Sequence, residues 1–217
     1  DSRNQNSGDV YAQKIDVNGN TLWGALSAGI PVNTVSSYSK RNPQIVVTPE
    51  EEAIIVWEDE RSYETGKDLY AQKLHSTGAV LWEPDGVAVV SEQEYQDDPM
   101  LVSDDTGGAW IVWEDDRDEG YPVVDIYVQN LNSSGNSVLE ENGKQICSTG
   151  KTQIEPTINK TSDGKIFISW ASGSNEYMKD SISYQILNEE GTELLPVNGT
   201  AIINGISGNV SNDLEVI

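Results

Sequence analysis

The sequence predicts an all-β fold, a β-propeller whose four-stranded antiparallel blades repeat about every 57 residues, and three observations carry that prediction. First, Trp57, Trp113 and Trp170 recur at steps of 56 and 57, each 14 residues after Pro43, Pro99 and Pro156. Second, Gln13, Gln72, Gln129 and Gln185 keep the same phase, each followed six residues later by Gly19, Gly78, Gly135 and Gly191 and four residues after that by Trp23, Trp82, Leu139 or Leu195. Third, the runs Ala53-Ile54-Ile55-Val56-Trp57 and Ala109-Trp110-Ile111-Val112-Trp113 are apolar on both faces, as strands covered on both sides must be.

The elements follow in order. Residues 1–217 form one repeat region: a partial unit 1–42, repeats 43–98, 99–155 and 156–211, and a terminal strand 212–217. In the second repeat the strand signals are A near Met100–Ser103, B near Ala109–Trp113, C near Asp125–Leu131 and D near Ser137–Ile146, rich in Val, Ile, Trp and Tyr and separated by Gly, Asp, Asn and Ser. The C strands, with Tyr70 and Gln72 alternating against Leu69 and Ala71, suit a more outlying position. Asp1-Ser2-Arg3 aligns with Asp59-Glu60-Arg61, and Ile217 falls inside an A strand, so the expectation is either a piece of a longer propeller or a four-bladed disc closed by its ends.

Composition narrows the partners. With 13 Lys plus Arg against 36 Asp plus Glu, the net charge of −23 opposes nucleic acid, which needs clustered cations. No apolar run approaches the ~18 residues of a membrane span, so no membrane insertion is expected. Cys147 is the only cysteine and reads as a small buried hydrophobe. The acidic B–C and D–A loops share one end of a propeller and predict a negative rim for a glycan or protein ligand, or for calcium; no other cofactor is suggested.

The most distinctive local pattern is Trp57-Glu58-Asp59-Glu60-Arg61, repeated as Trp113-Glu114-Asp115-Asp116-Arg117 and truncated in Asp1-Ser2-Arg3. Asp68-Leu69-Tyr70 and Asp125-Ile126-Tyr127 follow, while the fourth unit loses the acid-Arg segment and the Asp and Tyr together. Joint loss implies contact, and the expectation is an Arg bridging two Asp across the B–C hairpin. Glu58, Asp59, Arg61, Glu114, Asp115 and Arg117 are the candidate ligand-binding residues on this acidic face; no catalytic residue is singled out. Asp16-Val17-Asn18-Gly19-Asn20 opens like a calcium loop, but no bidentate Glu follows and a hairpin turn explains it. The same turns differ from the Asp-box of sialidases, because Trp stands four rather than three residues after Gly.

The full unit, Trp-Glu-Asp-x-Arg, Asp-(Val/Leu/Ile)-Tyr-(Ala/Val)-Gln, Gly and Trp, resembles propeller repeats of secreted or cell-surface proteins of Bacteroidetes-type bacteria, many exported by the type IX route. That resemblance covers residues 1 to about 200 and implies an extracellular module of a longer chain, beside neighbouring domains or chains of one assembly. The main functional expectation is a non-enzymatic binding and adhesion module, because identical residues at one phase do not build a catalytic site. The alternatives are a carbohydrate-active hydrolase or lyase of sialidase-like type and a structural segment of a surface or filament assembly.

Overall fold

A computed structural model describes residues 8–24, 29–34, 39–118, 120–175 and 178–203. The truncated motif at Asp1, Ser2 and Arg3 and the terminal strand 212–217 lie outside the described residues. The front unit contributes a two-stranded sheet, β1 (Tyr11–Ala12) and β2 (Ile30–Pro31). Three four-stranded antiparallel sheets follow, each in simple up-and-down order. They are β3 (Lys40–Val47), β4 (Ala53–Asp59), β5 (Asp68–Leu74) and β6 (Val87–Val90); β7 (Gln96–Ser103), β8 (Ala109–Asp115), β9 (Asp125–Leu131) and β10 (Lys144–Cys147); and β11 (Thr152–Lys160), β12 (Ile166–Asn175), β13 (Met178–Leu187) and β14 (Thr200–Ile203).

The sheets stack face to face in a β-propeller-like array, and the B strands explain why. Ile54 and Val56 of β4 pack against Ala109, Ile111 and Trp113 of the next sheet, while Ile55 and Trp57 face Val10, Trp23 and Val32 of the front unit. Trp110 and Val112 face Ile166, Ile168 and Trp170 in the same way. A strand side chain alternates between faces, so a strand serving two interfaces must be apolar throughout. Two details differ from the sequence expectation. The C strands β5 and β9 are almost wholly buried, because both faces are covered by neighbouring sheets. The D strand begins only at Lys144, not Ser137: the chain from Ser137 to Gly143 is turn-like, pinned at one bridge and one glutamine.

That glutamine accounts for the second sequence period. Gln129 Oε1 accepts the backbone N–H groups of Asn130 (3.0 Å) and Leu139 (2.9 Å), and its Nε2 donates to the Glu140 carbonyl (2.8 Å). Gln72 and Gln185 repeat these bonds, and Gln13 joins its amide to both backbone groups of Trp23. A buried carboxamide thus supplies the ladder partners that an irregular C–D connection lacks. The residue it anchors then reaches the next unit: Trp23 Nε1 donates to Ser76 O and Trp82 Nε1 to Ser133 O, both at 3.0 Å. A Cβ on Gly135 would lie 2.9 Å from the Trp82 ring, and one on Gly191 would meet Leu139. Gly78 is likewise covered by Trp23, whereas Gly19, the first of the series, has nothing over it among the described residues.

Cys147 is buried, and desolvation pushes its thiol up to about 12, which fits a packing role.

Candidate functional site

The acid-Arg motif folds into a hub inside the first and second four-stranded sheets. Asp59 Oδ2 accepts Trp57 Nε1 (2.8 Å) and Arg61 Nη2 (2.5 Å), and Oδ1 accepts the Arg61 backbone N–H (2.9 Å). Asp115 binds Trp113 Nε1 (2.8 Å) and, with both oxygens, Arg117. Each guanidinium also lies over a tyrosine ring, Arg61 over Tyr70 at 3.5 Å and Arg117 over Tyr127 at 4.3 Å, and donates to a D-side carbonyl, Asp85 or Asn142. The expected bridge to a second Asp does not form. Asp68 instead accepts the Thr65 hydroxyl and Asp125 accepts Gln145, because Arg is drawn back over the tyrosine. The third sheet shows the hub lost as one piece: Ser172 and Ser183 replace Asp and Tyr, and the Trp170 indole N–H forms no hydrogen bond, being left with the weakly accepting Cys147 sulfur.

Asp59, Arg61, Asp115 and Arg117 are therefore committed to the scaffold, with both Asp side chains inaccessible. Glu58 and Glu114 are placed differently. Both point toward the next unit and hold its A strand: Glu58 Oε1 accepts the backbone N–H of Asp98 (3.2 Å), and Glu114 Oε1 accepts that of Glu155 (2.7 Å).

Those two backbone groups mark the feature sequence reasoning missed. Each A strand carries a β-bulge just before its proline, where pairing with the B strand slips between Arg41 and Gln44, Asp97 and Met100, and Ile154 and Thr157. The bulged residues Asn42, Asp98 and Glu155 have φ of 46°, 48° and 56°, left-handed values that cost energy in non-glycine residues. β3, β7 and β11 lie side by side, so the three bulges turn their side chains onto one cavity of about 310 Å³, floored by Pro99, Met100 and Pro156. Asn42 Nδ2 donates to Asp98 Oδ1 at 2.8 Å and to Glu58 Oε1 at 3.1 Å. A second cleft of about 230 Å³ shares Asp98, adds Asp97 and Glu114, and is rimmed by the exposed rings of Tyr95 and Tyr121.

The electrostatics are uneven across this cluster. Burial, then the nearby Glu58 and Glu155 charges, hold the Asp98 carboxyl above the usual carboxylate range. Burial pushes Glu114 up to about 8, with Asp98, Asp97 and Glu155 adding to the rise. Glu155, by contrast, is ion-paired with Lys179, and Asp97 with Lys67. One position of the repeat thus carries an amide, a carboxyl raised toward neutrality and a lysine-paired carboxylate. A sequence signal existed, since the residue before each motif proline reads Asn, Asp and Glu while the proline itself recurs. Among the described residues no group of His, Cys, Asp and Glu is disposed to hold a metal ion, and Asp16 of the calcium-like loop caps its own turn, accepting the N–H groups of Asn18 and Asn20 at 2.8 Å.

No family model and no curated protein matches the chain. Solved structures do. The fold is similar to an α-L-arabinanase of Penicillium chrysogenum complexed with arabinobiose, with a TM-score of 0.53 at 14% identity over 85% of this chain. The chain spans 57% of that arabinanase. It is also similar to a thermostable family-43 glycoside hydrolase, with a TM-score of 0.52 at 11% identity, covering 92% of this chain and 73% of the other. The likeness is one of fold. Both of these solved structures are glycoside hydrolases, which stands against the expectation of a non-enzymatic adhesion module and on the side of the carbohydrate-active alternative.

Proposed function

We propose that this protein is a carbohydrate-active hydrolase whose reaction centre is the cavity between Asn42, Asp98 and Glu155. The observation that carries the reading is the chemical inequality of those residues at one structurally repeated bulge. Glycoside hydrolysis needs two carboxyl groups in different protonation states on opposite sides of the scissile bond. Here the Asp98 carboxyl is the one raised above the usual carboxylate range, and Glu155 is the one ion-paired with Lys179. In the proposed step Asp98 gives its proton to the glycosidic oxygen as the bond from the anomeric carbon to that oxygen breaks. Water adds to the anomeric carbon and passes a proton to Glu155, leaving a free reducing end and an alcohol. General acid catalysis of this kind contributes about 10²–10⁴-fold.

The remaining groups position this pair. Asn42 fixes one Asp98 oxygen, Glu58 and Glu114 hold the Asp98 and Glu155 backbones, and Tyr95 and Tyr121 offer exposed rings on which sugar faces can stack. The fold likeness to an arabinanase makes arabinan and arabino-oligosaccharides the first substrates to test, within a panel of plant and bacterial polysaccharides. Release of reducing ends that disappears in both Asp98→Asn and Glu155→Gln supports the reading. Unchanged release in either variant contradicts it.

A further inference from the structure

The opposite end of the second and third sheets carries a separate cleft, created by a break in the repeat. Between the first and second sheets, the space beneath the A–B turn is filled by Lys73, whose ammonium donates to Gly107 O (2.8 Å) and pairs with Glu52 (2.5 Å). One repeat later that position is Asn130, whose side chain is too short to cross the gap, and Ile54 has become Trp110. The result is a cleft of about 410 Å³ lined by Asp105, Trp110, Asn130, Lys160 and Glu189. That volume is within the roughly 300–1,000 Å³ of small-ligand pockets.

Asn130 is only 7% exposed, and its Nδ2 has no hydrogen-bond partner among the described residues. A buried amide donor left unsatisfied costs about 1–3 kcal/mol, so the fold carries an unmade bond at this wall. The charged groups lie toward the mouth. Lys160 donates to Asp104 O at 2.6 Å and pairs with the largely exposed Asp105 at 3.0 Å, which leaves acceptor capacity on Asp105 and Glu189. The wall therefore combines an indole, an amide donor, an ammonium and carboxylate acceptors, with one cation set against more than one anion.

From this combination we infer that the cleft is a second ligand site, separate from the cavity at Asn42, Asp98 and Glu155, for a neutral polyhydroxylated ring, that is, a single sugar unit. Hydroxyl groups both donate and accept, so they satisfy Asn130 Nδ2 and the carboxylates at once. An anionic ligand would face Asp105 and Glu189, and an apolar one would leave the amide unpaired.

The test uses the whole chain and a panel of methyl glycosides of arabinose, xylose, galactose and glucose, with the Asn130 side-chain amide and Trp110 indole resonances followed by NMR. The expected result is a saturable shift of both with at least one glycoside, retained in Asp98→Asn. Asn130→Lys, which copies the residue of the preceding repeat, should fill the cleft and abolish the shift of Trp110. Asn130→Ala keeps the cleft open, removes the amide and should weaken binding about tenfold, the worth of one good hydrogen bond. No saturable shift with any glycoside, binding unchanged in either Asn130 variant, or loss of the shifts in Asp98→Asn would each overturn the inference. The last outcome is independent of whether the Asp98–Glu155 cavity hydrolyses anything.

Discussion

Replacing Asp115 with Asn asks whether the repeated acid-Arg motif is scaffold. The Asp115 carboxylate is inaccessible and takes Trp113 Nε1 at 2.8 Å, Arg117 Nε at 2.9 Å, the Arg117 backbone N–H at 3.1 Å and Arg117 Nη2. An amide keeps one oxygen and turns the other into a donor facing donors. Breaking a buried ion pair on one side costs about 3–5 kcal/mol. The Arg117 side chain retains 14% exposure, so partial hydration places the loss at the lower end. The expected value is about 3 kcal/mol, roughly two decades in the folding equilibrium. Arg117→Ser should cost a similar amount by stranding the carboxylate. The double variant Asp115→Ser with Arg117→Ser reproduces Ser172 and Ser174 of the third sheet, where no charge is stranded, and should cost only about 1–2 kcal/mol. Urea unfolding followed by tryptophan fluorescence measures all three. A loss below about 0.5 kcal/mol for Asp115→Asn, or single losses that simply add in the double variant, refutes the hub.

Three further outcomes follow from the same geometry. Gly86 has φ of 88°, and a Cβ there would sit 2.6 Å from Trp57 Cη2 and 2.8 Å from Ala71 O; Gly86→Ala should lose about 2–4 kcal/mol in chemical denaturation, combining left-handed strain with overpacking. Gln129→Leu removes the acceptor of one buried and one half-buried backbone N–H group, so a loss of about 2–5 kcal/mol is expected, with amide exchange at Leu139 accelerated first. Glu114 titrates near 8 in the fold against about 4.5 when unfolded, so the native state binds the extra proton between those values. Its contribution to stability is complete below about pH 4.5 and is lost as pH rises toward 8; Glu114→Gln, which keeps the oxygen facing Glu155, should flatten that part of the pH profile.

Much of the fold was legible because it rests on residues that act alone in phase. The glutamine amide, the turn glycine and the Trp or Leu that covers the next unit's glycine each do one repeated job, so their spacing transmits the architecture directly. The burial of the C strands was not legible, since polar residues such as Gln72 and Gln129 are internal and read as surface. The late start of the D strand was hidden for the same reason: Ser137 to Gly143 is held by a glutamine rather than by a strand ladder. The candidate site escaped because the eye follows identity. The Trp-Glu-Asp-x-Arg motif repeats faithfully and is scaffold, whereas Asn42, Asp98 and Glu155 repeat only in position and backbone conformation, with the chemistry changed each time. Only the bulge, visible in three dimensions, shows that the three side chains meet.

The central claim, that the Asp98–Glu155 carboxyl pair hydrolyses glycosidic bonds, is tested most directly by quantifying new reducing ends from arabinan and arabino-oligosaccharides with the wild-type chain, Asp98→Asn and Glu155→Gln at matched thermal stability. The account predicts turnover by the wild type, reduced about 10²–10⁴-fold in each variant. Turnover undiminished in either variant, or no bond cleavage by the wild type on these substrates or on the wider polysaccharide panel, contradicts it.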